Sequence, residues 1–566
     1  MVVGGASVLP FVDIEDDINA IFKSSRSDLV ELENVQSSFS KVEIPLLFMV
    51  KCKAPLSSKK DFEQMSDLQK RIRLLPEVDS VAGILDVKVP KVVSNSLFMK
   101  PLVNLGSNKF KSKYLDKLDD YSDITPLFLN NSKTSFILHI YPKTGFSNDL
   151  KGELYGCANA SGYYNLEVLG ADVLAHEVKS KIDNDIFRLA VIGFCFIIIT
   201  FWFFFRSFSV VVFVGVMVTI NVSASILFIW LLGVGFNIMT AIVPTMIAIL
   251  SVTDLNHIMH VYFYGDQQSE KQDRLEYTYS KLKYSLILTS VTTAIGFSIF
   301  LISDIWPIIY FGLISILSIG FALFTSWYIA PSIIILLPNK GVKLMNHFYL
   351  SEWLKNALLG QNKLIISIFF VLLAVLGFNA YSSWDINYIV YDDMEKEESL
   401  YSNYEYFNKE FTGTRNVEIY FTGESLMPDD SAMVNLLEKT ESLLLNKYNF
   451  GFVSGPQSIH KMYNRAMNKG QVDHYLIDYR KLKEGLRTVE KQYDVSVFSN
   501  EKKDALRIFG STKEEMASLN LHQISAIQDD LNELSKQLGV RAIVGGSTYL
   551  RDTSTCLLYT SDAADD

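Results

Sequence analysis

The chain of 566 residues is 49% hydrophobic and 20% charged, with a mean hydropathy of +0.19. The charged residues are segregated along the sequence, which indicates a membrane protein with large water-exposed parts and excludes a chain that is apolar throughout. The formal net charge of −10 and the lack of a basic aromatic patch argue against a nucleic-acid partner.

Apolar runs that are long enough to cross a bilayer core occur six times. They are Leu189–Phe205, Val210–Leu232, Ile238–Met259, Leu286–Ile302, Ile308–Leu337 and Leu364–Ala380. The regions Phe11–Asp185 and Ser382–Thr553 are polar and long enough to form folded domains rather than loops. The sequence therefore predicts a polytopic helical membrane protein with two large water-exposed domains.

Basic residues occur in every second loop between the spans. They are Arg206 after the first span, Lys271, Arg274, Lys281 and Lys283 after the third, and Lys340, Lys343, Lys355 and Lys363 after the fifth. The loops at 233–237 and 303–307 contain no Lys or Arg. The positive-inside rule places the basic loops in the cytoplasm, so both large domains are expected on the opposite side of the membrane.

An internal repeat organises the chain. The segment VDIEDDINAIF from Val12 recurs as WDINYIVYDDM from Trp384, and Phe39 corresponds to Phe411 at an offset of 372 (411 − 39). Further on, FSKVEIPLLF corresponds to FTGTRNVEIYF after an insertion of three residues, and VLGADVLAHE corresponds to VGGSTYLRDT. A repeat of this length, with a span before and after each outer domain, is typical of a duplicated transporter half.

The same offsets predict that the chain is a fragment. Residues 1–10 correspond to the outer end of a first span, and a further span is expected after Thr553. The chain instead ends in CLLYTSDAADD, which resembles a translated sequencing adapter, so residues 553–566 are predicted to be a non-native tail without stable packing. The fragment would contain one nearly complete half, then one span and one outer domain of the other half.

Both outer domains show alternating strand and helix patterns. The run VEIPLLFMVKC, the amphipathic segment Lys60–Leu74 and the runs VDSVAGILDV and TSFILHIYP recur in the second domain as similar elements. Such an alternation predicts α+β domains made of split β-α-β units. No G-x-S-x-G, Walker, H-E-x-x-H or Gly-rich phosphate motif occurs in the appropriate context, so neither an enzyme nor a cofactor is expected.

Asp254 lies within the third span and is the leading candidate for a functional residue. A carboxylate in hydrocarbon costs at least roughly 2.5–3.5 kcal/mol, so it usually marks an ion or proton path; the alternative is that Asp254 only flanks the inner end of a short helix. On a helix, Asp254, His257 and His260 fall within an arc of about 120°. A carboxylate beside an imidazole can exchange a proton near neutral pH, whereas a metal site would need further ligands that the sequence does not show.

Several motifs together resemble one half of resistance-nodulation-division transporters. They are FFRSFSVVV, LLGVGFNIMTAIVPTMIAILSVTDLNHIMHVYF, TSVTTAIGFSIFLISDIWPIIYFG and APSIIILLP, and the resemblance covers residues 1–552. The branch that the chain resembles contains bacterial predicted exporters grouped with mycobacterial large membrane proteins and Patched-like, sterol-sensing-domain proteins. The second-half helix that normally partners the fourth span is absent from this chain.

The resemblance implies a twelve-span protein of the bacterial cytoplasmic (inner) membrane, with two porter-type, ferredoxin-like domains on the periplasmic side. It implies proton-driven export of hydrophobic or lipid-like molecules, with membrane lipids and protons as partners and either a trimer or a monomer as the assembly. A non-pumping lipid-binding or regulatory protein and an accessory subunit of protein export remain alternatives, since fold does not fix function.

The resemblance also implies that hydroxyl groups of the following span line the proton path next to Asp254. Thr289 and Thr293 are the main candidates in that span, and Ser290 and Thr292 are secondary candidates. His260, which follows Asp254 in the third span, is a further secondary candidate. The alternative is that these hydroxyls bond to carbonyls of their own helix. Asn221, Ser223 and Ser225 in the second predicted span are expected to serve packing.

The sequence thus predicts seven segments. They are the end of a truncated span (1–10), a first porter-like domain (11–185), a five-helix bundle (186–338), a cytoplasmic amphipathic linker helix (339–361), a seventh span (362–381), a second porter-like domain (382–552) and the tail (553–566).

Overall fold

The computed structural model describes residues 27–40, 44–93, 96–105, 118, 120–121, 123–235, 237–264, 270–337, 362–382, 399–424, 426, 430–467, 496–515, 517–546, 549 and 553. The chain divides into two compact units, one containing Lys179–Asp385 and one that combines Arg26–Val178 with Ile386–Asp566. The predicted end of the truncated span, the linker helix at 339–361, the repeated segments at 12–22 and 384–394, and the tail after Thr553 lie outside the described residues.

The first half of the α+β unit forms a four-stranded antiparallel sheet with the order β2-β5-β1-β6 and a separate hairpin of β3 and β4. Its elements are α1 (Ser27–Ser37), β1 (Leu46–Lys51), α2 (Lys59–Arg73), β2 (Val78–Ala82), β3 (Lys88–Val93), β4 (Ser96–Pro101), β5 (Ser135–Pro142), α3 (Asn148–Ala160) and β6 (Leu166–Leu169). Helix α2 begins with a capping box, in which Ser58 and Asp61 satisfy each other's backbone N–H groups.

The helical unit consists mainly of long helices that contain long apolar stretches. They are α4 (Ala171–Phe205), α5 (Phe208–Leu231), α6 (Ile238–Tyr264), α7 (Lys271–Ser298), α8 (Trp306–Phe324), a π-helical turn (Thr325–Ile329), α9 (Ala330–Ile334) and α10 (Asn362–Ser382). Helix α6 starts at a local cap, because Asn237 Oδ1 accepts from the N–H groups of Met239 and Thr240. A side chain at Gly312 would come within 2.9 Å of the Phe297 carbonyl oxygen, so glycine permits the close approach of α8 to α7.

Four helices in the described part of the chain are long and apolar enough to cross a membrane. They cover Phe208–Leu231, Met239–Phe263, Lys271–Ile302 and Trp306–Ile334. Helices α4 and α10 contain shorter apolar stretches, Val191–Phe205 and Ile366–Asn379. The helices agree with the prediction of a membrane protein, and four of the six predicted spans meet the length and composition of a spanning helix.

The second half of the α+β unit forms a four-stranded antiparallel sheet with the order β8-β9-β7-β10. Its elements are α11 (Ser399–Glu410), β7 (Arg415–Thr422), α12 (Ser431–Asn446), β8 (Phe452–Ser454), α13 (Pro456–Met467), β9 (Ala505–Thr512), α14 (Ala517–Lys536) and β10 (Arg541–Gly545). In chain order, β7, β8, β9 and β10 correspond to β1, β2, β5 and β6, so the two sheets have the same strand order. Helices α2 and α3 in one half, and α12 and α14 in the other, complete the β-α-β connections expected from the sequence.

The register of the repeat differs from the prediction in the first strand. Leu169 and Gly545, which precede the corresponding glycines Gly170 and Gly546, pair with Leu47 and Glu418, an offset of 371 (418 − 47). The burial patterns of residues 46–51 and 417–422 are identical at this offset. The predicted insertion of three residues is therefore wrong. The shared letters VEI do not mark equivalent positions, since Ile44 is 56% exposed whereas Ile419 is buried.

Each sheet is covered on one face by its own helices and on the other by a helix of the opposite half. Phe48 and Val50 of β1 belong to the core with α2 and α3, whereas Met49 packs against Tyr404 and Phe407 of α11. In the second sheet, Tyr420 packs in the same way with Leu32 of α1. The two halves therefore exchange their first helices, α1 for α11.

Tyr404 fixes one of these exchanged helices. Its hydroxyl oxygen accepts a hydrogen bond from the Gly170 N–H at 3.0 Å and donates one to the Gly170 carbonyl oxygen at 2.7 Å. Gly170 has φ +146° and directly precedes α4, so the contact lies at the junction between β6 and that long helix. The corresponding residue of α1 is Leu32 (404 − 32 = 372), which lies against Gly545.

Candidate functional site

Asp254 lies in the second half of α6 and is 7% exposed. The neighbouring residues Leu255, Ile258 and Met259 are fully buried in the apolar core that α6 shares with α4 and α5. The described residues include no hydrogen bond or ion pair to the Asp254 carboxylate. A carboxyl group in such surroundings is stable when it is protonated and requires a rearrangement or water when it is charged.

A chain of hydrogen bonds joins three helices one turn before Asp254. Asn221 Nδ2 on α5 donates to Ser251 Oγ on α6 at 2.9 Å, and Thr325 Oγ1 lies 2.7 Å from Asn221 Oδ1. All three side chains are at most 1% exposed. Because Ser251 and Asp254 are three residues apart, they lie on the same side of α6, and the network lies about one turn away from the position of Asp254.

The hydroxyl groups of this network also bond to their own helices. Ser251 Oγ donates to the Ile247 carbonyl oxygen at 2.7 Å, and Thr325 Oγ1 lies 2.9 Å from the Ala322 carbonyl oxygen. The single proton of Thr325 is therefore shared between Asn221 and Ala322. Thr325 can change its acceptor without losing its hydrogen bond, whereas the Ser251 hydroxyl donates to the Ile247 carbonyl oxygen and accepts from Asn221.

Thr325 is also the first residue of the π-helical turn at Thr325–Ile329. Tyr279 of α7 donates its hydroxyl proton to the Ser326 carbonyl oxygen at 2.7 Å. Beyond the turn, Lys271 Nζ donates to the carbonyl oxygens of Ile335 and Leu337 at 2.8 and 2.7 Å. Side chains of α7 thus support a backbone segment whose geometry departs from the α-helix, a departure that is frequent at functional sites.

The two candidate histidines do not share the environment of Asp254. His257 and His260 are both exposed, whereas Asp254 is buried. An arc of about 120° is wide enough to include both a buried and an exposed edge of one helix. Over the described residues, no hydrogen bond or ion pair joins His257 to Asp254, so the proposed adjustment of Asp254 by an imidazole remains a prediction.

The hydroxyl groups of α7 bond within their own helix. Thr289, Thr292 and Thr293 donate to the carbonyl oxygens of Ser285, Leu288 and Thr289 at 2.7, 2.8 and 2.7 Å. Ser290 is the buried member of the group, at 8% exposure. This is the alternative that the sequence left open, and the described residues show no bond from these hydroxyls to Asp254.

Sequence reasoning did not identify the network of Asn221, Ser251 and Thr325. The sequence predicts only a packing role for Asn221, although an amide in an apolar span must find partners and can bridge two helices at once. Among the described residues, no group of three His, Cys, Asp or Glu side chains is placed to hold a metal ion.

Comparison with known proteins finds no family model and no curated protein that matches this chain. The interpretation of the site therefore rests on the residues and geometry above.

Proposed function

We propose that this chain belongs to a proton-driven secondary transporter that exports hydrophobic or lipid-like molecules across the cytoplasmic membrane of a bacterium. The observation that carries the proposal is Asp254, a buried carboxyl group in a span, one helical turn from a hydrogen-bonded network that joins three helices. Intramembrane carboxyl groups of this kind typically bind and release the coupling proton. The resemblance to resistance-nodulation-division transporters supports the same function.

The proposed role of Asp254 follows from the different needs of its two protonation states. The neutral acid is compatible with the apolar side chains around it, whereas the carboxylate favours a packing that admits water or a hydrogen-bond donor. Ser251, Asn221 and Thr325 connect this position to α5 and the π-helical turn. Protonation would thus shift the balance between two arrangements of the helices, and the duplicated α+β halves would handle the cargo.

The test is transport by the intact protein in proteoliposomes with an imposed pH gradient and the lipophilic dye Nile red as cargo. Asp254→Asn keeps the shape of the side chain and most of its hydrogen-bonding capacity but cannot titrate. We expect it to insert normally and to reduce gradient-driven dye movement to the level of empty liposomes, because a side chain that cannot titrate cannot carry the coupling proton. Asp304→Asn, the same change in the loop before α8, should transport as the parent does.

Two results would overturn the proposal. One is undiminished gradient-driven transport by Asp254→Asn at a protein level matched to the parent. The other is transport by the parent that continues after a protonophore collapses the pH gradient and responds instead to a sodium gradient.

A further inference from the structure

Arg206 is an isolated cation at one end of two apolar helices. It is the only charged residue between Arg188 and Asp254. It lies in the turn between α4 and α5, where it is exposed, has φ +47° and donates its N–H to the Trp202 carbonyl oxygen at 2.8 Å. The described part of the chain contains no carboxylate paired with Arg206.

An apolar cleft runs along α4 and α5 from this turn. Its volume is about 420 Å³, and its lining includes Phe194, Phe201 and Trp202 from α4 and Phe208, Gly215 and Thr219 from α5. That volume falls within the range of about 300–1,000 Å³ that is usual for ligand sites. From Phe208 to Thr219 the helix rises by about 16 Å, which is enough for most of an extended acyl chain.

Gly215 leaves part of the cleft open. Apart from its chain neighbours and the backbone of its own helix, no atom lies within 4 Å of the position that a Cβ at Gly215 would occupy, so a side chain there has room to enter the cleft. Gly320 on α8 also has open space at its Cβ position, but it is exposed, whereas Gly215 is half-buried, and it does not line the cleft. Substitutions at Gly215 and Gly320 therefore form a matched pair, of which only the substitution at Gly215 changes the cleft.

We propose that this cleft binds one acyl chain of an anionic phospholipid, whose phosphate group pairs with Arg206. An apolar cleft with the Arg206 cation at one end matches the chemistry of such a lipid, because the acyl chain would lie in the cleft and the phosphate group would lie beside the cation. A neutral hydrophobic molecule would use the cleft but leave the guanidinium without a counter-ion. The site does not depend on the proposed transport function, because its ligand is a constituent of the surrounding bilayer.

The test measures lipid binding to the purified intact protein by native mass spectrometry, with palmitoyl-oleoyl phosphatidylglycerol and phosphatidylcholine as the two probes. The parent should retain phosphatidylglycerol in preference to phosphatidylcholine. Arg206→Gln should reduce that preference about fivefold, because a basic residue near an anionic lipid is worth about 1 kcal/mol. Gly215→Phe should weaken the binding of both lipids, whereas Gly320→Phe should change neither.

Thermal unfolding of each variant provides the control for folding, and Arg206→Gln tests the charge without altering the cleft. The proposal would be overturned if the parent bound the two lipids equally. It would also be overturned if Gly215→Phe and Gly320→Phe had the same effect, or if a sterol displaced phosphatidylglycerol from the parent and from Arg206→Gln alike.

Discussion

Asn221 connects three helices of the helical unit through the two ends of a single amide group. Its nitrogen donates to Ser251 and its oxygen lies 2.7 Å from the Thr325 hydroxyl oxygen. In a bilayer, hydrogen bonds between helices contribute about 0.6 kcal/mol on average and rarely exceed about 1.7 kcal/mol. A single side chain can therefore set the relative positions of helices without dominating their stability.

A double-mutant cycle of Asn221→Leu and Thr325→Val should measure this connection. We expect a coupling of about 0.6–1.7 kcal/mol in the free energy of unfolding, measured by titration with a denaturing detergent. Thr253→Val is the control, since the exposed Thr253 hydroxyl bonds only to the Ile249 carbonyl oxygen in its own helix. Simple additivity of Asn221→Leu and Thr325→Val would show that the two side chains do not interact.

Individual residues differ in how far the sequence predicts their surroundings. The burial of Asp254 follows from its place in a long apolar run. The exposure of His257 and the bonding of Thr289 do not follow from the sequence. The residue spacing on a helix does not show where its buried face ends, and a hydroxyl group in any helix can bond to a carbonyl oxygen of that helix. The choice between these partners depends on which helices pack against that face.

Helix α11 belongs to the second half of the α+β unit but covers the sheet of the first half. Met49, Ile137 and Leu169 of that sheet bury Leu400 and Tyr404. Polar contacts surround this apolar patch: Asn403 Nδ2 donates to Glu167 Oε2 at 2.8 Å, and Lys51 Nζ donates to Asn403 Oδ1 at 2.6 Å. The interface is therefore specific as well as apolar.

Tyr404→Phe should weaken the docking of α11. The change removes the hydroxyl partner of the Gly170 N–H, whereas the Gly170 carbonyl oxygen keeps its bond from the Leu174 N–H; a buried polar group left unsatisfied costs about 1–3 kcal/mol, and this half-buried N–H should cost less than the upper end of that range. Thermal unfolding of the intact protein should show the loss, whereas Tyr164→Phe, at a side chain that is 72% exposed, should have no measurable effect. Equal unfolding temperatures for Tyr404→Phe and Tyr164→Phe would rule out a stabilising role for the hydroxyl.

The sequence predicts which segments of the α+β unit form strands and helices better than it predicts which of these elements pack together. Short runs rich in apolar residues identify β1, β5, β7 and β9, and the repeat predicts that both halves have the same order of strands. The exchange of α1 and α11 is not predictable in this way, because an apolar helix face is compatible with either of two related sheets. The offset of 371 is also not visible in the amino-acid identities, since burial rather than identity sets the register of a strand.

At the scale of the whole molecule, the distribution of basic loop residues predicts how the chain crosses the membrane. Labelling of intact cells with a membrane-impermeant maleimide tests this prediction. Tyr164→Cys, in the α+β unit, should be labelled above the background of the parent's own cysteines. Lys281→Cys, in a predicted cytoplasmic segment, should be labelled only after permeabilisation. Labelling of both positions, or only of Lys281→Cys, in intact cells would contradict the predicted orientation.

The protonation of Asp254 can be observed directly by infrared difference spectroscopy of the intact protein in lipid bilayers. Only a protonated carboxyl group gives a C=O stretching band that is separate from the carboxylate bands. As the pH is lowered, the parent and Asp304→Asn should both gain a band that Asp254→Asn lacks, because only that variant removes the buried carboxyl group that we propose as the coupling site. Identical difference spectra for the parent and Asp254→Asn would show that Asp254 does not take up a proton and would contradict its role in coupling.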